Sequence, residues 1–178
     1  MIIIPSFLIS ILTFPGVIVH EIAHQIFCRL MRVPVYEVKY FQLTNPCGYV
    51  SHEPSDKPLK VFLISIGPFL VNTILGAIFT LPATIEFFQF RNSTSLINIF
   101  LGWIGISILM HAFPSTGDAK VMINSILKND EVSVIVKILI LPVIGIIYIG
   151  SWGSVVWLDL VYAVAIATLF STIVVNML

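Results

Sequence analysis

Apolar positions along this chain gather into five long runs, extending over about Met1 to Met31, Val61 to Leu81, Leu96 to Phe113, Val132 to Gly150 and Trp152 to Leu178. Each approaches the roughly 20 residues with which an α-helix crosses a bilayer, although the third is short and only the Gly150 to Gly153 break separates the last two. The one sizeable polar stretch, Val33 to Lys60, has a different rhythm. Val35 to Phe41 alternates and is rich in β-formers, Asn45-Pro46 supplies a turn, Cys47 to Ser51 returns, and Ser55 to Pro58 reads as a loop. The pattern predicts an all-α polytopic membrane protein of about five transmembrane helices, with four the alternative, and a short membrane-surface β-hairpin between the first and the second. One membrane-embedded domain, 1–178, is expected, with a core over about 1–128 and additional C-terminal spans over about 132–178.

Composition strengthens this picture. Hydrophobic residues make up 58% of the chain and charged residues 10%, against roughly 25% charged in soluble domains. Mean hydropathy is +1.04. Formal net charge is zero, so nothing points to nucleic acid as a partner. The first run has no basic leader, is too long for a signal peptide and carries histidines, so a retained span is expected. Cys28 and Cys47 sit in unlike contexts and suggest no disulfide. The bias of basic residues favours an N-terminus outside, with Arg29, Arg32, Lys39, Lys57, Lys60, Lys120, Lys128 and Lys137 at or inside the cytoplasmic boundary. Only Arg91 then lies outside, and the C-terminus is cytoplasmic.

Candidate chemistry begins in the first run, at His20-Glu21-Ile22-Ala23-His24. On a helix, His20 and His24 project from one face a turn apart, so two imidazoles can grip one metal ion. Glu21 sits beside them without being a ligand. This is the HExxH spacing of zinc hydrolases, in which zinc acidifies a water and the glutamate takes its proton. The bland alternative is a polar face packed between helices. Three ionisable groups within five residues of an apolar span are costly enough to favour a function. Pro15-Gly16 is expected to kink or loosen the helix one turn before His20.

His24 precedes Arg29 by five residues, which puts it roughly 8 Å below the cytoplasmic end of its helix. The end of the third run, Met110 to Asp118, lies on the same side, so a third ligand is sought there. Asp118 is preferred, because two histidines and one acid are a common catalytic zinc set. Its alternative role is to cap a surface helix over Ala119 to Leu127. His111 is the runner-up ligand, or else a buried, hydrogen-bonded histidine. His52 and Glu53 read as a solvated loop pair, and Glu86, Asp130, Glu131 and Asp159 as boundary or loop charges.

With HExxH in the first run, a hairpin after it and an acid after a proline break in a later run, the chain resembles the site-2 protease family of intramembrane zinc metalloproteases. Ser65-Ile66-Gly67-Pro68-Phe69-Leu70-Val71-Asn72 is similar to that family's GP-x-x-N segment, with the asparagine one residue later. Ala112-Phe113-Pro114 followed by Gly117-Asp118 is similar to its NLLPAFPxDG segment, with Gly-Asp in place of Asp-Gly and the acid two residues later. Ile108 stands where the family has an asparagine, and His111 where it has a proline. Cys47-Gly48-Tyr49-Val50 resembles its glycine-containing strand. The resemblance covers roughly Phe14 to Lys120.

The resemblance implies hydrolysis of a peptide bond in or beside a transmembrane segment of a membrane-protein substrate. One Zn2+ would be held by His20, His24 and Asp118, with Glu21 activating the water. It also implies that the edge of the hairpin holds an unwound substrate strand. Asn72 and Gly48 are the candidate substrate or oxyanion residues, although Asn72 can equally join helices. The expected surroundings are the lipid bilayer, with control through substrate presentation or a separate regulatory membrane partner. A competing expectation is an inactive scaffold or metal-binding protein of the same fold. A proton-relaying transporter is disfavoured, because the last two runs offer only Asp159 and no inverted repeat is visible.

Overall fold

A computed structural model describes residues 6–89 and 95–177. It is mostly helical, and its elements are α1 (Ser6–Leu12), α2 (Phe14–Leu30), β1 (Val35–Lys39), β2 (Tyr49–His52), α3 (Pro58–Thr84), α4 (Leu96–Met110), α5 (Thr116–Ile126), α6 (Val134–Gly153) and α7 (Leu158–Met177). A π-helical turn, Ile85–Gln89, extends α3, and a 3-10 turn, Ser154–Val156, joins α6 to α7. Arg91, expected outside the membrane, falls beyond the described residues.

Among the described residues, three helical segments, not five, are long and apolar enough to cross a membrane: Pro58–Phe87, Val134–Gly153 and Leu158–Met177. The first and third runs fall short because prolines interrupt them. Pro15 has no N–H to continue a helix from Ile11, and the chain breaks at Thr13, whose hydroxyl and N–H both donate to the Ile9 carbonyl. The expected loosening at Pro15-Gly16 therefore appears as a full break between α1 and α2. Pro15 itself occupies the first turn of α2, where a missing N–H does no harm. Pro114 likewise ends the third run, and α4 stops at Met110.

Two short helices share one long one. α3 is about 40 Å long, α2 about 26 Å and α4 about 22 Å at 1.5 Å per residue. α2 runs antiparallel to the first half of α3, with Gly16 at Asn72 and His24 at Ile64. α4 covers the second half, where Gly105 lies against Gly76 and Thr80 and Gly102 against Ala83. The start of α2 and the end of α4 therefore meet beside Asn72, at the middle of α3. A Cβ on Gly16 would overlap the Ser107 carbonyl of α4, so only glycine permits this approach.

The expected hairpin is present. β1 and β2 pair antiparallel, with Val38 opposite Val50, Lys39 opposite Tyr49 and a bulge between Val35 and Glu37. Tyr40 OH donates to Gln25 Oε1 of α2 at 2.7 Å, and Phe41 packs on Phe14. The hairpin is thus fastened along the flank of α2.

The last helices depart from an alternating five-span bundle. α5 and α6 form a helical hairpin around Ala119, Met122, Ile126, Ile144 and Ile147. This hairpin carries the chain back to where it left: Ser151 Oγ donates to the Pro114 carbonyl at 2.6 Å, and Gly150 lies against Phe113. α7 then runs parallel to α3, with Tyr162 at Phe69 and Thr73, and Ala167 and Thr168 beside Thr80 and Thr84. Five alternating spans would have made these two helices antiparallel.

Candidate metal centre

The two histidines of α2 are aimed by carbonyls that prolines have released. In a helix, the N–H of residue 68 would bond to the Ile64 carbonyl, but Pro68 has none. His24 Nδ1 donates to that carbonyl at 3.1 Å. α4 ends at its cap residue His111, three residues before Pro114, which leaves the His111 carbonyl without a helical donor. His20 Nδ1 donates to it at 2.7 Å. A carbonyl oxygen only accepts, so in both neutral rings the proton resides on Nδ1 and the lone pair on Nε2. This is how metal-binding histidines are ordinarily oriented.

Asp118 arrives from the other side. Ser115 and Asp118 form a capping box at the start of α5: Asp118 N–H donates to Ser115 Oγ at 3.1 Å, and Asp118 Oδ2 accepts from Ser115 N–H at 3.1 Å and from its hydroxyl at 2.6 Å. The same Oδ2 lies 3.6 Å from His24 Nε2. One carboxylate therefore completes the cap of α5, whose N-cap is Ser115, and also faces the histidines. Among the described residues, the ligand atoms of His20, His24 and Asp118 lie within 4.8 Å of one another. Ligands about 2.0–2.2 Å from a tetrahedral zinc stand roughly 3.5 Å apart, so the donor set and its spacing fit one metal ion after small adjustments. His111 is outside this group. Its ring Nδ1 donates to the Ser107 carbonyl at 3.0 Å, and it serves the site through its backbone.

Glu21 and His24 are buried at 8% and 7% exposure, yet both line an opening of about 230 Å³ with His20, Gly48, Tyr49, Val50, His52, Ser115 and Asp118. β2 closes over the glutamate so tightly that a Cβ on Gly48 would stand 2.8 Å from Glu21 Cγ and 3.1 Å from its Oε1. Beside it, hydrogen bonding to Glu37 keeps the partly exposed Tyr49 phenol above its ordinary pKa and hence a neutral donor. His52, read from sequence as part of a solvated loop, lines this opening, and its Nδ1 is 2.9 Å from the Glu53 carbonyl.

Asn72 is fully buried where three helices meet. Its Nδ2 lies 2.9 Å from the His111 carbonyl, 3.2 Å from that of Ile108 and 3.4 Å from that of Gly16. These are the contacts of the helix-joining role. The two amide hydrogens are committed to backbone, and Oδ1 has no partner among the described residues. Cys28 and Cys47 are free and buried, and burial raises the Cys47 thiol above its usual pKa.

Sequence reading missed Pro68, Ser151, Ser154 and Asp159. The last three border a second opening, of about 420 Å³, that also reaches His20, Glu21, Gly48 and Ser115. A proline four residues after a helical carbonyl was a usable signal for the first. For Asp159 the sequence offers only a carboxylate at the edge of an apolar run. No protein-family model, curated protein or solved structure matches the chain.

Proposed function

We propose that this chain is an integral membrane zinc endopeptidase that hydrolyses a peptide bond in or next to a transmembrane segment of another membrane protein. The observation that carries the reading is the convergence of two Nε2 lone pairs and one carboxylate beside a buried glutamate that borders two openings. His20, His24 and Asp118 would hold the ion, which when bound supplies an acidified water and polarises the carbonyl to be attacked. Glu21 accepts the proton released in the attack and returns it to the departing amine. Gly48 keeps β2 close to Glu21, and the free edge of β2 offers backbone groups to an unwound substrate strand. Exclusion of bulk water by β2 and the helix ends strengthens each of these interactions.

Arg29 and Arg32 at the end of α2 and Lys57 and Lys60 at the start of α3 share one end of the molecule. The bias of basic residues supports placing that end, and with it the site, toward the cytoplasmic side of the membrane, with α2 entered from the outer half.

A metal-binding scaffold without hydrolysis is the second reading. It is favoured by Asn72, whose amide is spent on helix carbonyls and leaves the oxyanion without that donor. The test is cleavage of a transmembrane reporter reconstituted with purified protein. Wild type is expected to cleave it, and Glu21→Gln to lose at least about 10²-fold in rate while retaining zinc. Equal rates for the two proteins, or no cleavage of a reporter library by zinc-loaded wild type, would remove the peptidase reading and leave the scaffold.

A further inference from the structure

The two openings approach Glu21 from different directions. The smaller lies under β2, and the larger leads away between α1, the Pro114 turn and the α6–α7 junction. They share His20, Glu21, Gly48 and Ser115, so an extended peptide crossing Glu21 from the β2 edge has the larger opening ahead of it. That opening is unusually polar for a chain of this hydropathy, with Ser10, Thr116, Ser151 and Ser154 on its walls. Among the described residues, Asp159 is the one formally charged lining residue besides Glu21, and no lysine or arginine borders the opening. Asp159 Oδ1 accepts the Leu160 N–H at 2.9 Å, and among the described residues Asp159 forms no ion pair.

We propose that this opening is a subsite for a basic side chain of the substrate, with Asp159 as its counter-charge. The proposal rests on the peptidase reading and names the class of sequence it acts on: an apolar segment with a lysine or arginine within a few residues of the scissile bond. A carboxylate in a half-buried polar cavity, unpaired by its own protein, gains most from a charged donor. Membrane proteins supply such donors at a fixed place, since lysine and arginine gather at the cytoplasmic ends of their spans. A site toward that end meets the apolar helix and its basic flank together. Ser151 and Ser154 add hydroxyl acceptors along the same wall.

The test separates binding from cleavage. Fluorescein-labelled apolar peptides, each with a single arginine at a successive position, are titrated against zinc-loaded Glu21→Gln protein in detergent, with glutamine at the same positions as the control. Asp159→Asn is the partner variant, because its amide oxygen still accepts the Leu160 N–H and the start of α7 is preserved. One or two adjacent arginine positions are expected to bind about tenfold more tightly than glutamine. That preference should vanish in the Asp159→Asn background, whose zinc content and thermal midpoint stay unchanged. No arginine preference at any position, or a preference that survives in Asp159→Asn, overturns the subsite. Because binding to the slowed Glu21→Gln protein is read before turnover, this outcome is independent of whether the wild type cleaves, which is read separately on the same peptides.

Discussion

Two prolines remote from His20 and His24 in sequence hold the imidazoles in place, one by removing an N–H and one by ending a helix. Pro68→Ala restores a donor that competes with His24 for the Ile64 carbonyl. Zinc affinity, measured against a competing chelator, should fall roughly tenfold, as expected when a ligand loses its outer hydrogen bond. Unchanged affinity would show that the carbonyl does not orient the ring. Gly48→Ala forces a methyl group against the Glu21 side chain, so cleavage should drop sharply while zinc content is kept; equal loss of both would mean that β2 positions the ligands instead. At this scale the sequence was readable wherever spacing alone sufficed. His20, Glu21 and His24 follow from a helical repeat, and of Asp118 and His111 it is Asp118 whose carboxylate lies with the two rings. What a freed carbonyl does, or which wall Asp159 joins, depends on contacts between distant segments and leaves no local pattern.

The elements are short because prolines and glycines punctuate apolar runs that composition alone makes look continuous. Pro15 and Pro114 trim α2 and α4, and Gly16 lets their ends touch at Asn72. Gly16→Ala should destabilise the protein by roughly 1–3 kcal/mol, since the added methyl group meets the Ser107 carbonyl within a packed junction. Denaturant midpoints in detergent would measure this, and a loss below about 0.5 kcal/mol would mean the junction is loose. Asn72→Leu removes the donor for three carbonyls in the same place and should lower stability by a similar roughly 1–3 kcal/mol, even where zinc remains bound. The hairpin was legible because alternation and a turn signal lie side by side in the chain. The break at Thr13 was only half legible: Pro15 announced a disturbance, but its position depended on which carbonyl Thr13 would engage.

For the whole molecule, the count of apolar runs suggested five alternating passes, and the α5–α6 hairpin undoes that alternation. Because α7 is parallel to α3, its far end and the basic end of α2 and α3 lie at opposite ends of the molecule. Single reporter cysteines at Asp56 and Asn176, both exposed positions, should therefore react with a membrane-impermeant maleimide from opposite faces of a vesicle. Labelling from the same face would restore the five-span topology. Runs of hydropathy register that helices exist but not their direction, since α6 is as apolar as a span whichever way the chain continues.

The claim on which the rest depends is that His20, His24 and Asp118 hold one metal ion with Glu21 beside it. It is tested most directly by zinc content per chain in detergent-purified wild type, Glu21→Gln, Asp118→Ala and His111→Ala. Near one zinc is expected in wild type, in Glu21→Gln and in His111→Ala, whose backbone carbonyl survives the substitution, and loss in Asp118→Ala. Zinc lost in His111→Ala but kept in Asp118→Ala would move the third ligand, and no zinc in wild type even after supplementation would contradict the metal centre altogether.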